Sequence, residues 1–326
     1  MDVADLDYSL PEAAIAQEPP ANREDARLLV DRGPGHAPEH RTARDLPVLL
    51  RAGDLLVVND TRVLPARLHL RKATGGAVEV LLLERLENGH WEALVRPSRR
   101  MAPGLRLAGP NEVCVEVVSE RGDGRWSVRV EGDLEDAGEM PLPPYIHAPL
   151  REPERYQTVF ARRPVSAAAP TAGLHLTHAL LEQCRANGVE IATVELAVGL
   201  DTFRPVTTER LEDHTIHSEA YDVSEETLDA CRAAQRVVAV GTTVVRALES
   251  AAAQGSRSGR TSLFITPGFE FHIVDVLLTN FHLPRTTLLA MIEAFVGPRW
   301  RDLYELALRE GYRFLSFGDA MLLERA

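Results

Sequence analysis

Lysine is almost absent from this sequence of 326 residues, in which Lys72 is the one lysine among 36 basic residues. A P-loop nucleotide-binding protein requires the motif Gly-Lys-Ser/Thr, and a pyridoxal enzyme requires a lysine that forms a Schiff base. Lys72 stands between Arg71 and Ala73 and fits neither pattern. Both classes of enzyme are therefore excluded.

Cysteines and long apolar runs are also scarce. Three cysteines lie far apart with no Cys-x-x-Cys pair, and an odd number argues against a disulfide framework. We expect Cys114, Cys184 and Cys231 to be small core residues. No stretch reaches the ~18–20 apolar residues that a membrane helix needs, and the acidic N-terminus is not a secretory signal. We expect a soluble, cytoplasmic protein that does not associate with membranes.

The length favours two domains, since a single hydrophobic core rarely grows beyond ~250–300 residues. Residues 68–150 are β-rich without a helical period, and turn sequences at 87–89 and 122–124 separate the extended runs. This pattern predicts a small antiparallel β domain, a barrel. After residue 151, helical and extended segments alternate, which predicts an α/β domain with a mostly parallel or mixed sheet covered by helices.

Individual elements follow from periodicity and from capping residues. Thr177 and Ser224 are residue types that cap helix N-termini, and Gly188 is placed to end the first of these helices. A buried strand is predicted at 54–58, and a linker at 255–259. The further predicted strands are 78–84, 91–96, 113–119, 126–131, 189–198, 237–240, 262–266 and 274–279. The predicted helices are 178–187, 225–235, 242–254, 286–295 and 301–309.

The net charge of −12 argues against nucleic-acid binding by the whole surface, but the basic residues are unevenly spread. Residues 93–111 and 155–181 contain arginines and no acidic residue. Cationic patches for phosphate groups can therefore exist on an acidic body. Arginines that fold apart from one another and are merely solvated explain the same pattern equally well.

Polar residues cluster where predicted strands meet predicted helices. In open α/β sheets, ligands collect beyond the carboxyl ends of the strands, at helix N-termini. Gly241, Thr242 and Thr243 offer close backbone approach, hydroxyls and N–H groups to a carboxylate or a ribose, with an ordinary capped helix start as the alternative. The segment 170–177 contains His175, which is either a general acid or base near neutral pH or a structural histidine.

His214, His217 and Glu219 form a second cluster. Histidines at positions i and i+3 of a helix can bind zinc, but no third ligand follows at a recognised spacing. We favour a hydrogen-bonding and proton-transfer cluster without a metal. Asn280 and His282 lie at a third polar joint. The sequence lacks the Gly-x-Ser-x-Gly elbow of serine hydrolases and the Gly-x-Gly-x-x-Gly of dinucleotide enzymes.

Short motifs recur in a characteristic order along the whole chain. They include LPPYI at 142–146, PTAGLH at 170–175, VGTT at 240–243 and TNFHLP at 279–284. The other matching segments are 6–12, 15–17, 53–68, 75–76, 156–160, 202–206, 217–219 and 318–322. As an ordered set they resemble one family, the S-adenosylmethionine:tRNA ribosyltransferase-isomerases of queuosine biosynthesis.

The resemblance implies that residues 1–67 and 151–326 form the α/β domain and that the barrel of residues 68–150 is inserted into it. It implies that the ribosyl group of S-adenosylmethionine is transferred to 7-aminomethyl-7-deazaguanine at the wobble position of a tRNA with a GUN-type anticodon. Isomerisation then gives an epoxyqueuosine nucleotide, adenine and methionine. No prosthetic group or metal is needed, because the sulfonium of the co-substrate acidifies its neighbouring C5′ hydrogens. We expect a monomer.

The resemblance and the charge pattern also assign roles to single residues. The predicted proton carriers are His175, His217 and Glu219. The donor is predicted to contact Thr171, Gly173, Gly199, Thr202, Phe203, Gly241, Thr242 and Thr243. The predicted substrate-binding residues are Arg62, Arg96, Arg99, Arg100, Asn280 and His282, of which Arg96, Arg99 and Arg100 are expected to contact the tRNA.

Two departures from the family pattern keep other functions open. Asp201 stands where family members have the second glycine of Gly-Leu-Gly-Thr-Phe, and Glu195 begins the segment in which a histidine is common. An extra carboxylate beside a ligand loop can repel phosphate or change the acceptor. The alternatives are a related transferase that uses S-adenosylmethionine or another nucleoside with a different acceptor, and a non-catalytic tRNA-binding protein.

Overall fold

The computed structural model describes residues 1–122, 124–199, 205–216 and 218–326. The strands are β1 Arg27–Asp31, β2 Glu39–Thr42, β3 Asp54–Asn59, β4 Thr61–Val63, β5 Arg67–Lys72, β6 Ala77–Arg85, β7 Trp91–Arg96, β8 Arg106–Ala108, β9 Cys114–Gly122, β10 Arg125–Glu131, β11 Arg163–Ser166, β12 Glu190–Leu196, β13 Glu219–Val223, β14 Arg236–Val240, β15 Ser258–Thr261, β16 Val276–Asn280 and β17 Ala320–Glu324. The α-helices are α1 Leu46–Leu49, α2 His178–Ala186, α3 Glu225–Ala233, α4 Thr242–Gln254, α5 Thr287–Val296 and α6 Trp300–Arg309.

Nine of the described strands form one mixed sheet in the order β15-β13-β12-β3-β14-β16-β17-β1-β2. The four neighbours β12, β3, β14 and β16 are parallel to one another. On one side β13 and β15 continue the sheet in antiparallel fashion. On the other side β17 runs antiparallel to β16 and parallel to β1. The predicted mixed sheet with covering helices is therefore confirmed.

The central strands are buried on both faces, which is why they are continuous apolar runs rather than alternating ones. Every residue of β3 is buried. Because successive side chains point to opposite faces, Leu55 and Val57 pack into the core shared with α4, α5 and α6. Leu56 and Val58 pack into the core shared with α1 and α2.

The strands β5 to β10 form a closed barrel in the order β10-β7-β6-β5-β8-β9. All its strand pairs are antiparallel, and it has a core of its own that contains Leu68, Val80 and Trp126. The predicted antiparallel barrel is thus confirmed. It is inserted in the chain between β3 and β12, two neighbouring strands of the large sheet. The domain boundaries at 67/68 and 150/151 stay a prediction.

The helices are short and begin as their capping residues predict. Thr177 Oγ1 accepts a hydrogen bond from the Leu180 N–H at 3.1 Å, and Ser224 Oγ accepts one from the Thr227 N–H at 3.1 Å. No helix in the described part of the chain is long and apolar enough to cross a bilayer. All three cysteines are free, and Cys184 is buried whereas Cys114 and Cys231 are partly buried.

Two strands of the sheet differ from the prediction. The strand predicted at 262–266 is wrong, because the chain is extended earlier, in β15, which takes in part of the predicted linker. β15 pairs with β13 at the edge of the sheet. Its exposed polar residues lack the alternation that marks a half-buried strand. The sequence analysis also missed β17, which is almost entirely buried against β16 and β1.

Candidate active site

One pocket lies at the carboxyl edge of the parallel strands. This inner pocket is lined by residues 169–172, 241–243 and 279–283 together with Tyr145, Val198, Thr286, Leu288, Leu315 and Ser316. Its empty volume is about 580 Å³. None of the described residues that line it is an aspartate, glutamate, lysine or arginine. The described lining of the inner pocket therefore carries no fixed charge.

The inner pocket lies where the strand order reverses. From β3 the chain continues to β12 on one side of the sheet and later to β14 on the other, and such a crevice is where α/β sheets bind ligands. Asn59, the last residue of β3, donates from Nδ2 to Thr243 Oγ1 at 3.3 Å and to the Leu196 carbonyl at 2.9 Å. The amide thereby joins the ends of β3 and β12 to the start of α4.

The start of α4 forms one wall of the inner pocket. Gly241 has a φ of +93°, a conformation that side chains with a Cβ rarely adopt. This conformation turns the chain from β14 directly into α4, whose first residues Thr242 and Thr243 line the pocket. The start of a helix and two hydroxyls therefore line the inner pocket, an arrangement that suits a ribose or a carboxylate.

Asn280 stands at the centre of a buried hydrogen-bond network. Thr171 Oγ1 donates to Asn280 Oδ1 at 2.9 Å, and Asn280 Nδ2 lies 3.1 Å from His175 Nε2 and 3.3 Å from the Asp319 carbonyl. Burial, together with the nearby Arg313 and Arg23 guanidinium groups, lowers the pKa of His175 to about 4. His175 is therefore neutral at pH 7 and accepts the amide hydrogen bond. It lies behind Asn280 and does not line the inner pocket.

His282 is the second buried histidine at this edge, and it does line the inner pocket. Its Nε2 lies 3.0 Å from Thr279 Oγ1, and its backbone carbonyl accepts a hydrogen bond from the Tyr8 hydroxyl. Burial lowers the pKa of His282 to about 3. Burial raises the pKa of Tyr145, whose hydroxyl lies 2.7 Å from Ser316 Oγ. At neutral pH, both groups are uncharged.

Gly173 is not brought to the inner pocket. A Cβ on Gly173 would lie 2.7 Å from the Phe160 ring and 3.0 Å from the Thr158 methyl group. The absence of a side chain at Gly173 thus allows close packing of the buried turn Thr171–His175. The predicted donor contact of Gly173 stays a prediction.

A second and wider pocket lies between the barrel and the sheet. This outer pocket has an empty volume of about 1390 Å³, part of it open to solvent. The barrel contributes Leu83, Glu84, Glu92 and Arg125. The α/β part contributes residues 218–220, 242–243, 263–265 and 287–288 together with Ala197, Gly199, Pro205, Thr207, His214, Ile216, Arg246 and Met291. Thr242, Thr243 and Leu288 line both pockets, so the two meet at the start of α4.

The outer pocket carries opposite charges in pairs. The Glu219 carboxylate forms a buried ion pair with Arg246 and accepts a hydrogen bond from the Gly199 N–H at 2.9 Å. Arg246 also donates from Nε to the Leu263 carbonyl at 3.2 Å. On the barrel wall, Arg125 pairs with Glu92 at 2.5 Å. Glu219 is therefore tightly engaged, and its contact with Gly199 fixes the start of the predicted donor loop.

Several other predicted site residues lie elsewhere. Arg62 pairs with Glu154 at 2.5 Å and lines neither pocket. Arg96, Arg99 and Arg100 are exposed on the barrel and form no ion pair with any residue the structure describes. Thr202, Phe203, His217 and Asp201 lie outside the described residues.

Glu195, one of the two departures, lies away from both pockets. Its carboxylate pairs with Arg163 at 2.9 Å, and burial raises its pKa. It lines neither the inner nor the outer pocket. The geometry therefore gives Glu195 no contact with a ligand in either place.

The sequence analysis missed residues whose neighbours are distant in the chain. Asn59 and Tyr145 lie within matching motifs, and a polar residue at a buried strand end was an available signal for Asn59. No sequence signal marks Glu92 and Arg125, which reach the outer pocket only because the barrel lies against the sheet.

His214 packs edge-on against Phe264. The described residues contain no group of three His, Cys, Asp or Glu side chains arranged to hold a metal ion.

Comparison with known proteins identifies the family. The family model of the queuosine biosynthesis protein matches residues 3–323. The S-adenosylmethionine:tRNA ribosyltransferase-isomerase of Rubrobacter xylanophilus is 54% identical over 323 residues, covering 98% of this chain and 96% of that protein. The enzyme of the same name from Thermus thermophilus is 50% identical over 340 residues, covering 97% and 98%.

A solved structure agrees with both sequence comparisons. The crystal structure of S-adenosylmethionine tRNA ribosyltransferase from Thermotoga maritima matches with a TM-score of 0.57 and 37% identity. The match covers 98% of this chain and 99% of that one. With the barrel, the mixed sheet and the pockets on its carboxyl edge, the chain belongs to the queuosine biosynthesis family that contains the S-adenosylmethionine:tRNA ribosyltransferase-isomerases.

Proposed function

We propose that this chain transfers and isomerises the ribosyl group of S-adenosylmethionine onto 7-aminomethyl-7-deazaguanine at the wobble position of tRNA. The products are an epoxyqueuosine nucleotide, adenine and methionine. The observation that carries the proposal is a pair of unlike pockets that meet at Thr242 and Thr243. A two-substrate transfer gains most of its rate from holding the reacting groups next to each other, and family membership supports this chemistry.

The inner pocket suits the adenosine end of the donor. Adenine and ribose are uncharged, and the described lining of this pocket carries no ionised side chain. Its empty volume of about 580 Å³ includes space that is open to solvent. Asn280 and Thr171 offer an amide and a hydroxyl to the base, and Thr243 offers a hydroxyl to the ribose.

The outer pocket suits the charged groups of both substrates. The methionine end of the donor carries a carboxylate and an ammonium, and the acceptor base carries an aminomethyl group. The guanidinium groups of the pocket walls can bind the substrate carboxylate, and the carboxylates of the walls can bind the substrate ammonium and aminomethyl groups. The pocket opens beside the barrel, where Arg96 lies on the same strand as Glu92, about 13 Å further along. Exposed arginines there suit the phosphates of a tRNA with a GUN-type anticodon.

Proton transfer is assigned among the three predicted carriers by their surroundings. The sulfonium acidifies the C5′ hydrogens of the donor, so a base of ordinary strength begins the reaction. Glu219 is held in an ion pair, and His175 lies behind Asn280 with a strongly lowered pKa. We therefore assign the base to His217, which directly precedes Ser218 of the outer pocket. His175 then acts as a positioning residue for Asn280.

The reaction is tested by adenine release. The protein is incubated with S-adenosylmethionine and tRNA that carries the aminomethyl-deazaguanine, and adenine and methionine are quantified by chromatography. A matched tRNA with guanine at the wobble position is the control. The proposal predicts that adenine and methionine are released with the modified tRNA and are not released with the control tRNA.

The two alternatives give different results in the same assay. Adenine release that does not depend on the modified base indicates a related transferase with another acceptor. Binding of tRNA without adenine release indicates a non-catalytic binding protein. We further propose that the enzyme acts as a cytoplasmic monomer without a prosthetic group, and light scattering of the pure protein, alone and with tRNA, tests its oligomeric state.

A further inference from the structure

One arginine connects the two walls of the outer pocket. Arg260 lies on the edge strand β15 of the large sheet. Both of its terminal nitrogens bind the carboxylate of Glu84 on barrel strand β6, with Nη2 3.1 Å from Oε2. Its Nε donates to Ser218 Oγ at 3.0 Å, and Nη2 donates to the Ser218 carbonyl at 2.8 Å. A single guanidinium group thus holds a barrel side chain and a sheet backbone together.

The position of Ser218 matters because of its two neighbours in the chain. It lies between His217, the proposed base, and Glu219, whose carboxylate binds the Gly199 N–H and Arg246. Both Ser218 and Glu84 line the outer pocket. Any shift of the barrel relative to β15 is therefore passed to Ser218 and Glu219.

The planar fork of arginine suits this task. Its donors have fixed directions and bind a carboxylate with two parallel hydrogen bonds while a further N–H serves another acceptor. Lysine has one point charge on a flexible stem and cannot hold both partners in one geometry. The Arg260 side chain is 49% exposed, so the pair adds little to the free energy of folding. Its effect is expected in geometry rather than in stability.

We propose that Arg260 is a positioning residue for the transfer reaction. By joining Glu84 to Ser218, it sets the width of the outer pocket and the place of Ser218 and Glu219 against the acceptor nucleotide. The proposal rests on the proposed function, because the acceptor is taken to bind in the outer pocket. Misplacement of a reacting group by about 1 Å can cost 10²-fold in rate. The donor, in the inner pocket, is expected to bind as before.

The test compares Arg260→Ala, Arg260→Lys and Glu84→Gln with the unchanged protein. We expect kcat with the modified tRNA to fall at least tenfold in Arg260→Ala and Arg260→Lys, and less in Glu84→Gln, which keeps one hydrogen bond. The dissociation constant of the donor should stay within twofold and the melting temperature nearly unchanged. Arg257→Ala is the matched control, because Arg257 pairs with the exposed Glu225 and lines neither pocket.

Each other outcome has a definite meaning. A kcat within twofold of the unchanged protein in Arg260→Ala overturns the proposal. Parallel losses of kcat, donor affinity and melting temperature overturn it as well, because they indicate a structural role. A double variant, Arg260→Ala with Glu84→Gln, should lose no more than Arg260→Ala alone. If the unchanged protein itself releases no adenine, the proposed function is wrong. If the unchanged protein and Arg260→Ala are equally active, only the role of Arg260 is wrong.

Discussion

The inner and outer pockets differ in how they are built and therefore in what they can hold. The inner pocket is formed mainly by strand ends and loops of one sheet, and its polar groups are neutral and hydrogen-bonded to one another. The outer pocket is formed by two separately packed units, and its charged side chains form ion pairs. A network of neutral hydrogen-bonding groups can orient an uncharged ligand at low desolvation cost. The members of an ion pair can instead exchange their partner for a charged group of the ligand.

The difference also sets how each pocket responds to mutation. Thr171 and Asn280 of the inner pocket form one chain of hydrogen bonds with His175, which lies behind Asn280. Loss of one member leaves a neutral group unsatisfied. In the outer pocket, loss of one member of the Glu219–Arg246 pair leaves a buried charge. An uncompensated charge costs more than an unsatisfied neutral group.

The largest expected effect is on turnover, at the proposed base His217. His217→Ala should lower kcat about 10²–10⁴-fold, because general-base catalysis typically contributes that much. Donor and tRNA affinity should be retained, as measured by calorimetry. His36→Ala, at an exposed position, is the matched control. Near-normal turnover in His217→Ala would show that another group is the general base, and the departing adenine would be the next candidate.

The next effect concerns stability. Arg246→Ala should lower the free energy of unfolding by about 3–5 kcal/mol, because it leaves the buried Glu219 carboxylate without its cation. Urea denaturation followed by circular dichroism measures this. Arg232→Ala removes an exposed pair with Asp229 and should cost under about 1 kcal/mol. Equal losses in the two variants would contradict the difference between buried and exposed pairs.

A third prediction tests the exposed arginines beside the outer pocket. Replacing Arg96, Arg99 and Arg100 with glutamine should weaken tRNA binding. For each tRNA phosphate that these arginines no longer neutralise, the slope of log K against log salt should flatten by roughly 0.7–0.9. Donor affinity should not change. Arg309→Gln, on an exposed face of α6, is the control, and an unchanged slope in the triple variant would mean that the three arginines are merely solvated.

The smallest effect is a pH dependence that belongs to the inner pocket. The pKa of His175 is about 4 in the folded protein and ~6.5 when exposed. As the pH falls from about 6.5 towards 4, the unfolded chain takes up a proton that the folded protein does not, so stability falls with pH. The slope for this group is at most about 1.4 kcal/mol per pH unit.

The measurement is chemical denaturation at several pH values between 6.5 and 4.5. His175→Gln should show a shallower fall in stability than the unchanged protein, whereas His36→Gln should keep the full slope. Parallel curves for the unchanged protein and His175→Gln would show that His175 is already protonated in the fold. Because His282 is buried in the same way, part of the slope should remain.

Much of the inner pocket was predictable because each of its segments carries its own signal in the neighbouring sequence. Apolar runs followed at once by polar residues predict strand ends, and the capping signals predict where the next helix begins. Thr171, Gly241 and Asn280 were found in this way, and they do lie together. His175 was placed in the right motif, but sequence cannot tell a side chain on the pocket surface from one directly behind it.

The outer pocket was hardly predictable, because its contacts join distant parts of the chain. Arg260 and Glu84 are 176 residues apart, and nothing in either neighbourhood indicates the other. The edge strand β15 was missed for a related reason, since it is held by backbone pairing with β13 and carries no apolar pattern. Alternation predicted the barrel strands, but not the side on which the barrel meets the sheet.

The most direct test of the division between the two pockets is a crystal structure with S-adenosylhomocysteine, which lacks the sulfonium and cannot react. The account predicts the adenine in the inner pocket in contact with Asn280 and Thr171, the ribose beside Thr243, and the amino-acid end directed into the outer pocket. Adenine bound between the barrel and the sheet, beside Arg125 and Phe264, would contradict it.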